Sequence, residues 1–152
     1  WSPVPYTKTP LQPGQPKACP RCRQTFPLTS QFWKRSRGTK AGFFSCCRPC
    51  RQQYEYARLS TRLREAREEA ILAYGGQCRC CGEATPEFLT FDHVRGGGNA
   101  HRRASRQVRK EFPLWLKRRG FPPLVRLLCY NCHMAKDHFG ACPHHPTGSS
   151  AL

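Results

Sequence analysis

Acidic residues are scarce in this chain: nine Asp and Glu stand against 26 Lys and Arg, a formal net charge of +17 over 152 residues. That imbalance excludes an evenly charged surface. It also calls for an anionic partner, because so much like charge on a small protein repels itself. Apolar residues are few as well, at 38%, with a mean hydropathy of −0.69. A large hydrophobic core is therefore excluded, and a small module needs another source of stability to offset its chain entropy. No apolar run approaches the roughly 18 residues of a transmembrane helix, so no membrane partner is expected. No basic-then-apolar signal pattern opens the sequence. The length allows one ordinary domain or two small ones.

Cysteine is what the chain has in excess. Eleven cysteines occur, and eight of them form four C-x2-C pairs: Cys19/Cys22, Cys47/Cys50, Cys78/Cys81 and Cys129/Cys132. Two thiolates three residues apart on a tight knuckle grip one face of a tetrahedral Zn²⁺, and a second pair closes the shell. A disulfide framework is the competing reading. The odd cysteine total, the absence of a signal pattern and the paired spacing favour zinc and a reducing, intracellular compartment. Cys46 offers a rival register to Cys47, but the x2 spacing selects Cys47. Cys80 reads as a spare thiol, and Cys142-Pro-His144-His145 as a metal-capable or merely surface segment with no assigned chemistry.

The order of segments predicts a small, zinc-stabilised α+β protein. Residues 1–17 carry five prolines and form an extended Pro-rich arm. A zinc-ribbon-like module follows over 18–50, with Cys19 and Cys22 facing Cys47 and Cys50 across 24 residues. Phe26, Phe32, Trp33, Phe43 and Phe44 supply its small core, and a hairpin-like turn surrounds Gly38. Tyr54, Ala57, Leu63, Ala66, Ala70 and Tyr74 mark one helix stripe, so 51–76 is a connecting helix closed by Gly75 and Gly76. The second module spans 77–145. It holds strands over Phe88–Asp92 and Val125–Leu128, a short helix over Leu114–Arg119 behind Pro113, and a last helix over Cys132–Phe139 ended by Gly140. Residues 146–152 are a disordered tail.

Three features lie inside the second cysteine frame. Asp92-His93 ends the first strand, Gly96-Gly97-Gly98-Asn99 follows at once, and His133 comes directly after the last paired cysteine. Zinc at the knuckles would draw His133 towards that strand. A carboxylate and one imidazole then share a hard cation, with a second imidazole free beside them. Metal-assisted phosphodiester hydrolysis asks for that set: an ion to stabilise charge on phosphate, and a base to activate water. The Gly run alone is weak evidence for phosphate binding.

The pattern Cys78-x2-Cys81, Leu89-Thr-Phe-Asp92-His93, Leu127-Leu128-Cys129-x2-Cys132-His133-x2-Lys136 resembles the HNH (ββα-metal) endonuclease family. Its Leu-Leu-Cys-x2-Cys stretch is also similar to the phage recombination endonuclease VII group. The resemblance covers about 77–145 well and 18–50 loosely, as in phage-type HNH proteins with an N-terminal zinc-finger module. It implies a ββα-metal nuclease domain with His93 as general base, Asp92 and His133 as ligands of a catalytic divalent metal such as Mg²⁺ or Mn²⁺, and Cys78, Cys81, Cys129 and Cys132 holding structural zinc. With Cys19, Cys22, Cys47 and Cys50, two structural zinc ions are expected. Many members carry an Asn shortly before the second knuckle that steadies the loop bearing the base. Here the region reads Phe121-Pro-Pro-Leu-Val-Arg126, and Asn99 or His101 is the replacement to consider.

Charge supports the substrate class. Between Arg95 and Arg126 ten Lys or Arg face Glu111 alone, and between Lys34 and Arg64 nine face Glu55 alone. Blocks of this kind suit a surface that tracks a polyanion, and Arg95, Arg102, Arg103, Arg106, Arg109, Lys110, Lys117, Arg118 and Arg119 are the expected DNA contacts. The expected partner is duplex or branched DNA. A homodimer would be one route to a double-strand break, and a phage origin would add packaging or recombination proteins and place the chain in a bacterial cytoplasm. The alternative from another class is a non-catalytic zinc-finger nucleic-acid-binding protein, a regulator or packaging accessory. It leaves Asp92, His93 and His133 without a reason to sit together.

Overall fold

The computed structural model describes residues 12–144. Most of the Pro-rich arm (1–11), His145 and the tail (146–152) lie outside the described residues. Two compact units divide the chain, Trp1–Leu59 and Ser60–Leu152, and the helix α1 (Arg48–Ala73) begins in the first and ends in the second. The described residues form a small α+β protein with four α-helices and two two-stranded sheets. No described helix is long and apolar enough to cross a membrane.

In the first unit β1 (Pro16–Ala18) pairs antiparallel with β2 (Thr25–Pro27), so Pro16 and Lys17, at the end of the segment read as an arm, are strand residues. The Cys19–Cys22 knuckle joins the two strands. A small core of Leu28, Trp33, Phe43, Cys46, Cys19 and Cys47 lies behind it. The indole N–H of buried Trp33 donates to the carbonyl of Pro27 at 3.1 Å, as a buried polar tip must. Phe26 stacks on Phe32 with ring centroids 5.1 Å apart. Arg35 bridges Phe43 in antiparallel fashion across the turn that contains Gly38.

In the second unit β3 (Leu89–His93) and β4 (Val125–Cys129) form an antiparallel ladder with Leu89 opposite Cys129, Asp92 opposite Arg126 and His93 opposite Val125. One strand therefore ends on Asp92 and His93 while its partner ends on the second knuckle. The last helix, α4 (Tyr130–Phe139), starts at once, with the Cys129 sulfur accepting from the Cys132 N–H at 3.4 Å. Gly140, at φ 75°, ends it in the left-handed conformation that glycine adopts most easily. Ile71, Leu89, Leu127, Leu128 and the cysteines make one core cluster, and Ala70, Leu116 and Val125 another. Arg67 ties the second half of α1 to this unit by donating to the carbonyls of Pro86 and Leu89, each at 2.7 Å.

The region between the strands is more helical than its sequence suggests. α2 (Gly98–Ala104) arises directly from the glycine run, and α3 (Arg106–Arg118) contains the short helix expected at Leu114–Arg119. Few apolar residues occur in α2 and the start of α3, so no helical stripe shows there. Capping fixes the start of α3 instead: the Ser105 side chain accepts from the Val108 N–H. Pro113 lies inside α3, and the chain kinks at Glu111 (φ −136°, ψ 39°), because proline removes a donor and crowds the preceding turn.

Candidate metal centres and the basic cleft

Two groups of four cysteines could hold zinc: Cys19, Cys22, Cys47 and Cys50 in the first unit, and Cys78, Cys81, Cys129 and Cys132 in the second. In each group all four sulfurs lie within 4.8 Å of one another. Cys22 and Cys47 are 3.8 Å apart, and Cys81 and Cys129 3.6 Å. Four sulfurs about 2.3 Å from one tetrahedral ion are separated by about 3.8 Å, so the donor sets fit. None of the eleven cysteines is in a disulfide.

The two N-terminal knuckles share one backbone design. Cys19 N–H donates to Gln24 O (2.8 Å) and Arg23 N–H to Cys19 O (2.8 Å). Cys78 N–H donates to Glu83 O (2.7 Å) and Gly82 N–H to Cys78 O (3.0 Å). In both, the residue after the second cysteine takes positive φ, Arg23 at 61° and Gly82 at 78°. These turns aim N–H groups at sulfur. Burial raises the Cys19 thiol, but the N–H groups of Cys22, Cys47 and Arg21 outweigh it and bring it down to about 6. Cys78 likewise falls to about 7, burial being outweighed by the N–H groups of Cys81, Cys129 and Cys80. Hydrogen bonds of this kind favour the thiolate form that zinc binds. Cys46, the rival to Cys47, stands outside the four-sulfur group although both are buried in the same core.

A third cluster comprises Cys80, Cys132, Cys142 and His144, and a fourth comprises Asp92, His133 and Asp137. Cys132 belongs to two of the clusters. Burial and the sulfurs of Cys129, Cys142, Cys80 and Cys81 push its thiol up.

The fourth cluster is built by β3 and α4. Asp92 is buried at 3% exposure, and His133 Nε2 lies 3.6 Å from Asp92 Oδ1 and 3.6 Å from Asp137 Oδ2. The other ring nitrogen, Nδ1, is 2.9 Å from Thr90 Oγ1, while that hydroxyl donates to the carbonyl of Leu128 at 2.8 Å. A threonine hydroxyl has one proton. With that proton on Leu128, Thr90 accepts from Nδ1–H, which fixes the ring and leaves Nε2 facing two carboxylates. One imidazole nitrogen and two carboxylate oxygens within 4.8 Å of one another could hold a divalent cation, and such donors suit one.

Cations already surround Asp92. Lys136 Nζ lies 2.6 and 2.7 Å from its two oxygens, and Arg126 Nε 2.9 Å from Oδ2. Burial would raise this carboxyl, but the hydrogen bonds and charges of Lys136 and Arg126 outweigh it and hold it below the usual range. An incoming ion therefore competes with the Lys136 ammonium.

His93 stands beside this cluster on the rim of a cleft of about 380 Å³ lined also by Asp92, Gly98, Asn99, His133 and Asp137. Its Nε2 lies 3.0 Å from His101 Nδ1, and its ring stacks on Phe112 with centroids 5.6 Å apart. Burial first, then the neighbouring His101, lowers the His93 imidazole, which favours its neutral form. A Cβ on Gly98 would come within 3.0 Å of His93 Nδ1. Glycine keeps that nitrogen clear.

The other predicted residues divide. His101 contacts His93, whereas the Asn99 side chain accepts from Arg102 at 3.2 Å. Arg102, Arg103, Arg106 and Arg109 line one groove of about 550 Å³ together with Asn99. Arg95 and Lys110 are exposed. Lys117 and Arg118 are exposed but paired with Glu69 (2.6 Å) and Glu111 (3.6 Å), and Arg119 lies over the Trp115 ring. Arg126, counted in the basic block, is no surface cation: it is 8% exposed and spends its charge on Asp92.

Asp137, Thr90 and Arg126 are contributors that the sequence reading did not place in the site. Asp137 was signalled by its i+4 position from His133 on one helix face, and Arg126 by its cross-strand position opposite Asp92. No protein-family model, curated protein or solved structure matches the chain.

Proposed function

We propose that this protein is a metal-dependent DNA endonuclease of the HNH type. One observation carries the reading: the His133 ring, held at Nδ1 by Thr90, turns Nε2 towards Asp92 and Asp137 at 3.6 Å each, beside a cleft lined by His93. Asp92, His133 and Asp137 would hold a divalent ion such as Mg²⁺ or Mn²⁺, which when bound would supply positive charge for the phosphate and the departing 3′ oxygen.

The chain's own residues do the rest. His93, with Nε2 engaged by His101, accepts at Nδ1 the proton of the attacking water. The water oxygen bonds to phosphorus, the bond from phosphorus to the 3′ oxygen breaks, and that oxygen takes a proton from solvent, leaving a 5′-phosphate and a 3′-hydroxyl. Phe112 holds the plane of the base ring by stacking. The guanidinium groups of Arg102, Arg103, Arg106 and Arg109 bind the flanking phosphates, to which their planar forks are matched. One such site cuts one strand.

A second reading, a zinc-stabilised nucleic-acid-binding module without catalysis, is favoured by the neutralisation of Asp92 by Lys136 and Arg126. Supercoiled plasmid incubated with zinc-loaded protein separates the two. Conversion to open-circle or linear DNA that needs added Mg²⁺ or Mn²⁺ and stops in EDTA supports the nuclease. Salt-sensitive binding with no conversion in either metal supports the second reading.

A further inference from the structure

Seven donor side chains, rather than four, converge around the second pair of knuckles. Cys132 Sγ belongs to one group with Cys78, Cys81 and Cys129 and to another with Cys80, Cys142 and His144, and within each group every donor atom lies within 4.8 Å of the others. His144 Nδ1 stands 3.2 Å from Cys142 Sγ, 3.4 Å from Cys132 Sγ and 3.9 Å from Cys80 Sγ. Around a tetrahedral zinc with ligands at roughly 2.3 Å (sulfur) and 2.0 Å (nitrogen), a sulfur and a nitrogen are about 3.5 Å apart. The three distances bracket that value.

We propose that Cys80, Cys132, Cys142 and His144 form a third zinc site, which shares the Cys132 thiolate with the Cys78/Cys81/Cys129 site and makes the centre dinuclear. A thiolate sulfur has lone pairs enough for two ions, and six cysteines with one histidine complete two tetrahedra when one sulfur bridges. Each thiol that enters gives its proton to solvent.

Ordinary core packing accounts for less. Cys142 is buried and packs in the same apolar cluster as Leu127 and Leu128, which a core cysteine would also do. His144, however, is exposed, and its Nδ1 is directed at three sulfurs instead of water. The chain geometry is matched to the purpose. Cys80 rides on the knuckle between two ligands of the neighbouring site, and the left-handed Gly140 precedes the segment that brings Cys142 and His144 to it.

The consequence falls on α4. Cys129 and Cys132 fix its first turn, and Cys142 with His144 would fix the chain just past its end. The helix that carries His133 and Asp137 is then clamped at both ends, a way to hold ligands in place without a large core.

The test is metal stoichiometry and connectivity in the full chain. Protein expressed with zinc and exchanged into metal-free buffer is expected to hold three zinc ions per chain by mass spectrometry of the metal. His144→Ala and Cys142→Ser should each hold two, with amide NMR dispersion retained in the exposed His144 variant. In protein loaded with ¹¹³Cd²⁺, the Cys132 β-protons should correlate with two cadmium resonances. Two ions in the unaltered protein, three retained in His144→Ala, or Cys132 coupled to a single cadmium would each overturn the proposal. The cadmium spectrum is read on the unaltered chain, so a variant that fails to fold leaves it decisive.

Discussion

Asp92 and Arg126 face each other across the β3–β4 ladder, and the pairing continues into their side chains, with Arg126 Nε donating to Asp92 Oδ2 at 2.9 Å. Both residues are buried, at 3% and 8% exposure. A carboxylate this enclosed is tolerable only while it is paired. The ion pair thus sets the charge and the position of the residue on which the proposed metal site is built.

Arg126→Met should accordingly lower stability by about 3 kcal/mol, the low end for breaking a buried pair, because Lys136 remains as a partner. Denaturant titration of zinc-loaded protein measures this. A loss below about 0.5 kcal/mol, typical of exposed pairs, would contradict the burial of the pair.

Asp137 tests the ligand set. It is exposed, so its replacement should leave the fold alone. Asp137→Asn is expected to weaken Mn²⁺ binding about tenfold, the scale on which one site interaction counts, with bound zinc unchanged. Electron paramagnetic resonance of free Mn²⁺ follows the titration; unchanged affinity would remove Asp137 from the site.

Gly98 tests the base. Gly98 opens α2 with an ordinary helical backbone that alanine also adopts, so Gly98→Ala should keep the fold and the bound zinc. The added methyl would crowd His93 Nδ1 at 3.0 Å, and plasmid cleavage should fall at least about tenfold, a cost within reach of a small displacement of a reacting group. Full activity in this variant would show that Nδ1 does not take the proton.

Cys46 and Cys47 stand side by side with different roles. Cys47→Ser should release one zinc ion and unfold the first unit, since a structural zinc site supplies folding energy outright. Cys46→Ser should keep the zinc and lose only packing. Metal analysis of the two variants reads the difference, and the opposite pattern would move the ligand register to Cys46.

Much of this arrangement was legible because cysteine spacing is a geometric constraint: the two groups of four cysteines are the expected ones. The strands beside Asp92 and Cys129 and the glycine-terminated helices were equally readable, since short apolar runs and left-handed glycines leave direct marks. The helices α2 and the first half of α3 left none. Their exposed residues are mostly polar, and capping by Ser105 and the kink before Pro113 govern them more than any apolar stripe. Arg126 was counted with the basic block because composition does not say which arginine lies opposite a buried aspartate. Cys80, Cys142 and His144 fall outside the C-x2-C rule, and only folding brings them to Cys132.

His93 gives the most direct test of the central claim. Supercoiled plasmid is incubated in Mg²⁺ or Mn²⁺ with unaltered protein and with His93→Ala at matched zinc content. The account predicts metal-dependent conversion to open-circle or linear DNA that falls by about 10² or more in the variant, the range for loss of a general base. Equal rates for the two proteins, or no conversion by either in any metal, would contradict it.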